Sequence, residues 1–393
     1  MLKKIALTLA CGDYEIVRPF LNEKVEVDGV DLTILTDMDS ATRHWRFLRN
    51  GEFDVAEVSA SSYLAARDNG VPFCAIPVFL HRRFRHGFMF INTSKGIEKP
   101  ADLRGRKIGV KTMMTTAVLW MRGILQHEYG VPLNSVEWIA EIEDDVKITL
   151  PSDIKYSCLS DDKSVETMLA EGELDAVFHS DLIKPFVAGD VRVARLFPDH
   201  KAEEEAYYRK TGIFPIMHVL GIRQTLAEEY PWLPVNLFQA FNNAKSIAMK
   251  RMANPRIVPL AWYRDAWEEQ ERVLGPDPWE YGLTETNRKV LETLVGYSHE
   301  QGLIKKRPAL DQLFLSVDQG RKRGGGNALL AARACPAHRL QRQLMLSGIT
   351  GTNPAMTNCD DVMAGLVPAI HVLLYCAKER RGCAGQARAR RAK

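Results

Sequence analysis

Residues 53–64, FDVAEVSASSYL, decide how this 393-residue chain is read. Residues 53–58 read as a strand. They pass directly into Ser59-Ala60-Ser61-Ser62, which suits the start of a helix over Tyr63, Leu64 and Ala65. The same alternation extends on both sides. Upstream, Ile5–Ala10 is a short apolar run ending in Gly12-Asp13, and Val30–Leu35 is a second strand signal. Ser40 then opens a helix carrying Trp45 and Leu48, with Gly51 as its stop. Downstream, residues 73–79 form a fourth strand. Strand–helix alternation of this kind predicts a mostly parallel, doubly wound sheet.

A second unit repeats the pattern. Residues 87–92 are apolar, 107–110 and 136–140 read as strands, 115–127 and 165–171 as helices, and 174–178 as a strand. Residues 217–222 form a return strand, and the chain to about residue 316 is mostly helical, with Val290, Leu294 and Tyr297 on one face. The expected fold class is α/β, as two doubly wound lobes. Residues 1–80 with 217–318 make the first lobe, residues 81–216 the second, and 319–393 a basic tail of low order.

Composition narrows the partners. Apolar residues at 46% and charged residues at 26% suit a globular chain with a sizeable core. No run approaches the ~20 apolar residues of a membrane span. The net charge of +3 divides unevenly. Residues 319–393 hold 13 Lys+Arg and 3 Asp+Glu, leaving 39 basic against 46 acidic residues in the body. An acidic body argues against nucleic acid. In the tail Tyr375 is the only aromatic residue, so the tail reads as a disordered extension. Its stretch 362–374 resembles a translated intergenic repeat, which suggests read-through past a lost stop codon. Cys11, Cys74 and Cys158 are scattered through the body and read as reduced thiols in the cytosol.

In doubly wound sheets ligands sit beyond the carboxyl ends of the strands. The densest polar segment there is HRRFRH, residues 81–86, directly after an apolar strand and where a hinge between lobes should run. Its guanidiniums can bind a carboxylate through two hydrogen bonds; the plainer reading is an exposed basic loop. Ser59, Ser61 and Ser62 open one helix, and Thr115 and Thr116 open another. These are places for an anion, or merely N-caps. His179 lies at a further strand end. His218 begins the return strand, as a core or a cleft histidine. His44, His127, His200 and His299 are placed on surface helices or loops, with no role. Zinc-binding HxH and HExxH, the GxSxG elbow and phosphate-loop templates are absent, so no metal is expected.

Taken together, LTLACGDY, GEFDVAEVSASSYL, IPVFLHRRFRH, IGVKTMMTTAVLWMRGIL, EEAYYRKTGIFPIMH and DPWEYGL with NRKVLE resemble the 4,5-dihydroxyphthalate decarboxylase family, from about Lys4 to about Leu315. The resemblance implies the type II periplasmic-binding-protein fold, two α/β lobes joined by two crossing segments. The family's hinge pattern is similar to PVF-x-S-R-x-F-R-H. Arg82, Phe84, Arg85 and His86 match it, and His81 stands where Ser is usual. Residues 111–115 depart from a family loop similar to GVPEYQMTA, which puts the substrate itself in question.

The activity implied is decarboxylation of an aromatic ortho-dicarboxylate, 4,5-dihydroxyphthalate to 3,4-dihydroxybenzoate, with no cofactor. Arg82 and Arg85 would hold carboxylates, and His86 or His218 would do acid–base work. Asp13 would orient or deprotonate a hydroxyl. Ser61, Ser62 and Thr116, with Ser59, Thr115 and His179 nearby, would donate to anionic oxygens. The partner is a small aromatic carboxylate, not nucleic acid or membrane, and related decarboxylases make a homo-oligomer plausible. Competing readings are a non-catalytic solute-binding protein for a transporter and a cytosolic ligand sensor. Export would separate the first of these from an enzyme. MLKKIALTLAC looks like a lipoprotein signal, but Ile5–Ala10 supplies only six apolar-core positions where a signal needs ~7–15. Thr8 also sits where a lipobox wants an aliphatic residue. A cytoplasmic enzyme is the expectation.

Overall fold

In a computed structural model of the chain, residues 3–144, 146–159 and 163–317 are described. Their strands form two mixed sheets. The first holds β1 (Ile5–Ala10), β2 (Val30–Leu35), β3 (Val55–Ser59), β4 (Phe73–Ile76) and β11 (His218–Arg223), in the order β2-β1-β3-β11-β4. The second holds β5 (Met89–Asn92), β6 (Lys107–Val110), β7 (Glu137–Ala140), β8 (Lys155–Cys158), β9 (Ala176–Phe178) and β10 (Val193–Arg195), in the order β10-β5-β9-β6-β7-β8. Within each sheet the successive strand–helix units pair in parallel. β11 runs antiparallel to β3 and β4, and β5 antiparallel to β9 and β10. These antiparallel members are the strands reached after the chain has crossed from one sheet to the other or is about to return.

The apolar run that could pass for an export signal is β1, an inner strand. It pairs with β2 along all six residues and with β3 at Leu9 and Ala10, and Leu9, Ala10 and Cys11 are fully buried. Strand β4 stops at Ile76, earlier than the expected residue 79, because Pro77 has no N–H to extend the ladder. The short strands β8 and β10 have no counterpart in the sequence reading. β8 is a mostly exposed edge without a buried face to pattern its residues. Residues 319–393, read from sequence as a disordered tail, lie outside the described residues.

Two crossing segments join the sheets and hold each other. Arg82 and Ile216 form an antiparallel bridge, Arg83 N donates to Pro215 O at 3.1 Å, and Met217 N donates to His81 O at 2.9 Å. The helix Thr116–Tyr129 of the second sheet packs across this ribbon, its Trp120 Nε1 donating to Ile216 O at 2.9 Å. The same helix also meets the helix Glu285–Glu300, where Trp120 packs edge-on against Tyr297 at 5.5 Å. Gln301 Nε2 donates to Leu119 O at 3.1 Å, and the Tyr297 ring lies where a Cβ on Gly123 would be, 2.1 Å from Tyr297 Cδ2.

Gly123 thus works against two opposed effects. Alanine is the better helix former by ~1 kcal/mol, but here its methyl overlaps a buried ring. Overpacking costs about 1–3 kcal/mol, so Gly123→Ala is expected to lower the urea midpoint. An unchanged or raised midpoint would show that Tyr297 can move away freely.

Candidate active site

Glu57 lies in the middle of β3 and is fully buried. Burial alone would keep its carboxyl protonated, but four donors converge on it. Oε2 accepts from Gly12 N at 2.8 Å and from Arg43 Nη2 at 2.7 Å. Oε1 accepts from the Tyr14 hydroxyl at 2.8 Å, and His218 Nδ1 lies 2.6 Å from it. Desolvation pushes the carboxyl up, while His218 and Arg43 together outweigh it and hold Glu57 well below the usual carboxylate range.

Local structure brings these groups together. His218 opens β11 opposite Ser59 of β3, two residues beyond Glu57, so His218 and Glu57 are diagonal neighbours on one face of the sheet. Arg43 comes from the helix Ser40–Asn50, started by the Asp39 side chain accepting from Thr42 N. Gly12 and Tyr14 come from the loop after β1.

An ionised carboxylate only accepts, so it fixes the proton of His218 on Nδ1 and leaves Nε2 with a lone pair. His218 keeps 13% of its side chain exposed. Two more imidazoles stand against it, His44 with ring centroids 4.9 Å apart and His81 at 4.8 Å, both edge-on. Both are held uncharged, first by burial and then by His218. His81 is pushed down to about 2 and His44 well below its usual range.

Tyr14 and His81 also line a groove of about 850 Å³. Its walls carry Phe84, Phe88, Trp267 and Trp279, with the guanidiniums of Arg83 and Arg195. Arg83 and Arg85 both lie over the Phe88 ring, each 5.3 Å from its centroid. An aromatic surface, several guanidiniums and a carboxylate-oriented histidine can bind an aromatic acid and move a proton on it.

Of the residues singled out from sequence, the structure brings His218 to this cluster and scatters others. Arg82 is a buried strut, donating to Glu280 O at 2.9 Å and to Asn287 Oδ1 at 2.5 Å. Arg85, also buried, donates to Ser180 O at 2.8 Å. Ser59, Ser61 and Thr116 bind one another in a buried seam between the two helix starts. Ser59 Oγ is 2.7 Å from Thr116 Oγ1, Ser61 N donates to Thr116 Oγ1 at 3.0 Å, and Ser61 Oγ donates to Met114 O. Ser62 is buried in the same helix, and Thr115 pairs with Thr112 at 2.8 Å. Asp13 is exposed, 3.5 Å from Arg18.

His179 lines a different hollow of about 590 Å³, with Lys111, Glu141 and Glu166. Lys111, the new charge in the divergent loop, is spent on Glu141, and Met113 and Met114 turn into the core. His86 is fully buried among Tyr129, Phe197 and Tyr207, with neither ring nitrogen hydrogen-bonded.

Glu57, Arg43 and His44 are members of the candidate site that the sequence reading missed. Glu57 had a signal, a lone charge inside the buried run VAEVS. His44, expected on a surface helix with no role, is buried because its face of that helix packs toward β3. His200, also placed on the surface, lines the groove.

A family model described as an ABC transporter phosphonate periplasmic substrate-binding protein matches residues 13–192. A protein of Comamonas testosteroni named 4,5-dihydroxyphthalate decarboxylase is 33% identical over 322 residues, covering 80% of this chain and 97% of that relative. A Pseudomonas putida protein of the same name is 32% identical over 216 residues, 53% of this chain and 83% of its own length. Among solved structures, a periplasmic sulfonate-binding protein from Methylobacillus flagellatus aligns with a TM-score of 0.50 at 11% identity, covering 91% of this chain and all of its own. That last likeness concerns the fold alone.

The caged His86 generates a pH prediction. Burial, with His200 second, pushes its imidazole down to about 4. A base depressed in the folded state contributes stability above its unfolded value of ~6.5, which is lost as pH falls toward 4. Glu204, pushed up to about 7 by burial, has the opposite sign, so the comparison must be between variants. His86→Phe is expected to gain stability relative to the parent between pH 6.5 and 4, by up to roughly 1.4 kcal/mol per pH unit. A constant difference in urea midpoint across that range would contradict it.

Proposed function

The chain belongs to the 4,5-dihydroxyphthalate decarboxylase family, and we propose that it converts 4,5-dihydroxyphthalate to 3,4-dihydroxybenzoate and CO2. The observation that carries this reading is the buried Glu57–His218 pair, 2.6 Å apart, beside a groove lined by aromatic rings and guanidiniums. The names of the two relatives support the substrate.

Each ring carboxylate of this substrate is para to a hydroxyl. His218 Nε2 takes the proton of the hydroxyl para to the departing group, and the phenolate pushes electron density onto the carbon that bears the carboxylate. A proton adds at that carbon, giving a dienone. The bond to the carboxylate then breaks, CO2 leaves, its electron pair restores the aromatic ring as the phenolate, and the His218 imidazolium returns its proton to that oxygen. The net change is one proton taken up per CO2 released. Glu57 holds His218 in the basic tautomer and stabilises the imidazolium formed. Arg83 and Arg195 hold the carboxylate that stays, and the aromatic walls keep the departing one poorly hydrated. No step requires a cofactor.

We place this chemistry in the cytosol. The run Ile5–Ala10 that resembles an export signal is β1, and cleavage before Cys11 would remove an inner strand. Recovery of the full chain from a periplasmic fraction would overturn that placement.

His218→Gln is expected to lower kcat by roughly 10²–10⁴-fold and to leave substrate binding within a few-fold. CO2 release at the parental rate would remove His218 from the mechanism. Glu57→Gln should lose activity too, and leaves the buried Arg43 charge without its partner. Breaking a buried pair in this way costs about 3–5 kcal/mol, read as a lower urea midpoint. Binding of ortho-dicarboxylates with no CO2 from any of them would instead favour a non-catalytic solute receptor, the class described by the matching family model.

A further inference from the structure

His81, like His44, makes no ring hydrogen bond among the described residues, but of the two only His81 lines the groove. Its backbone is pinned, since its carbonyl accepts from Met217 N at 2.9 Å across the ribbon of crossing segments. Its ring is held between two members of the site, edge-on to His218 at 4.8 Å and stacked on Tyr14 at 6.2 Å with 26° between planes. Nδ1 is buried and unbonded, and Nε2 makes no hydrogen bond among the described residues. The residue lines the groove. A ring fixed on three sides, with an unused polar edge in a cavity wall, suits contact with a ligand better than packing alone. An unbonded buried nitrogen carries a desolvation cost that a carbon ring would avoid.

The chemistry of that contact follows from the surroundings. Burial first, and then His218 and Arg85, disfavour a positive charge on His81, so it meets a ligand as a neutral imidazole. With Nδ1 bare, the proton can sit on Nε2, which then donates toward the groove. His218 offers a lone pair in the same region. Two oxygens on adjacent ring carbons lie in van der Waals contact with one another, and two side-by-side imidazoles can address both. A neutral donor beside a developing phenolate stabilises it without taking a proton from it.

We propose that His81 determines specificity by donating from Nε2 to the second hydroxyl of a vicinal dihydroxy aromatic acid, while His218 acts on the hydroxyl para to the departing carboxylate. The assignment of the two hydroxyls rests on the decarboxylase reading; the contact itself does not.

The test compares 4,5-dihydroxyphthalate with 4-hydroxyphthalate, which keeps one para hydroxyl and lacks its neighbour. Both are offered to the parent, His81→Phe and His81→Gln, reading kcat/KM for CO2 release and Kd by calorimetry. The parent should prefer the dihydroxy acid by roughly tenfold or more. His81→Phe keeps a ring in place but removes the donor, and should bring the two substrates within about threefold, a residual difference of under about 0.7 kcal/mol. His81→Gln, whose amide reaches the Nε2 position, should restore part of the preference. If the phenylalanine variant does not fold, His81→Asn replaces it, because its amide sits at the Nδ1 position instead. A parent without preference, or a preference that survives loss of the donor, overturns the proposal. If the parent releases CO2 from neither acid, the decarboxylase reading fails, and the same comparison in Kd still decides for or against the His81 contact.

Discussion

A single carboxylate organises this site. Glu57 lies at the centre of a buried strand, where an uncompensated charge costs several kcal/mol. It is tolerated because three segments bring four donors: the loop after β1 with Gly12 N and Tyr14, the helix Ser40–Asn50 with Arg43, and β11 with His218. The interaction works in both directions. The donors keep Glu57 ionised, and Glu57 keeps those segments in register and sets the tautomer of the one histidine in the pair. A fold that satisfies this charge has, by doing so, built an oriented base.

The space left for a ligand follows from what is sealed elsewhere. The hydroxyls that open the helices Ala60–Asp68 and Thr116–Tyr129 would face an anion in an open two-lobed protein. Here they bond to one another, and Tyr297 lies flush against Gly123. The open volume is displaced to the side of the crossing segments, between Phe88 and Arg83 on one wall and Trp267 and Trp279 on the other. The residues most able to hold a carboxylate are therefore those whose guanidiniums reach that groove. Neighbours in one basic segment divide by direction. Both line the groove, but the Arg82 guanidinium is buried against Asn287 and Glu280, while that of the next residue, Arg83, is exposed, 3.7 Å from Asp181.

Much of the fold was legible in the sequence because apolar periodicity is a local property. The runs at 5–10, 30–35 and 107–110 match the strands residue for residue, and the glycine stop at Gly51 adopts the left-handed conformation that suits it. Short edge strands escaped because they bury too little to leave a pattern, as in the exposed β8. The candidate site was legible only in part. The segment 81–86 and His218 were found by position at strand ends. Glu57 and His44 were not, since a glutamate inside a strand and a histidine on a helix have a role only once their partners are known.

By itself the sequence determined the alternating α/β architecture, the two lobes and the family. All of these depend on spacing along the chain and on residue type. Tertiary structure alone decided which polar groups meet. His218 and Glu57 are 161 residues apart, and only the antiparallel return of β11 beside β3 brings Nδ1 to within 2.6 Å of the carboxylate. Burial, charge compensation and the direction in which an arginine points are properties of the assembled neighbourhood, and the order of residues does not contain them one by one.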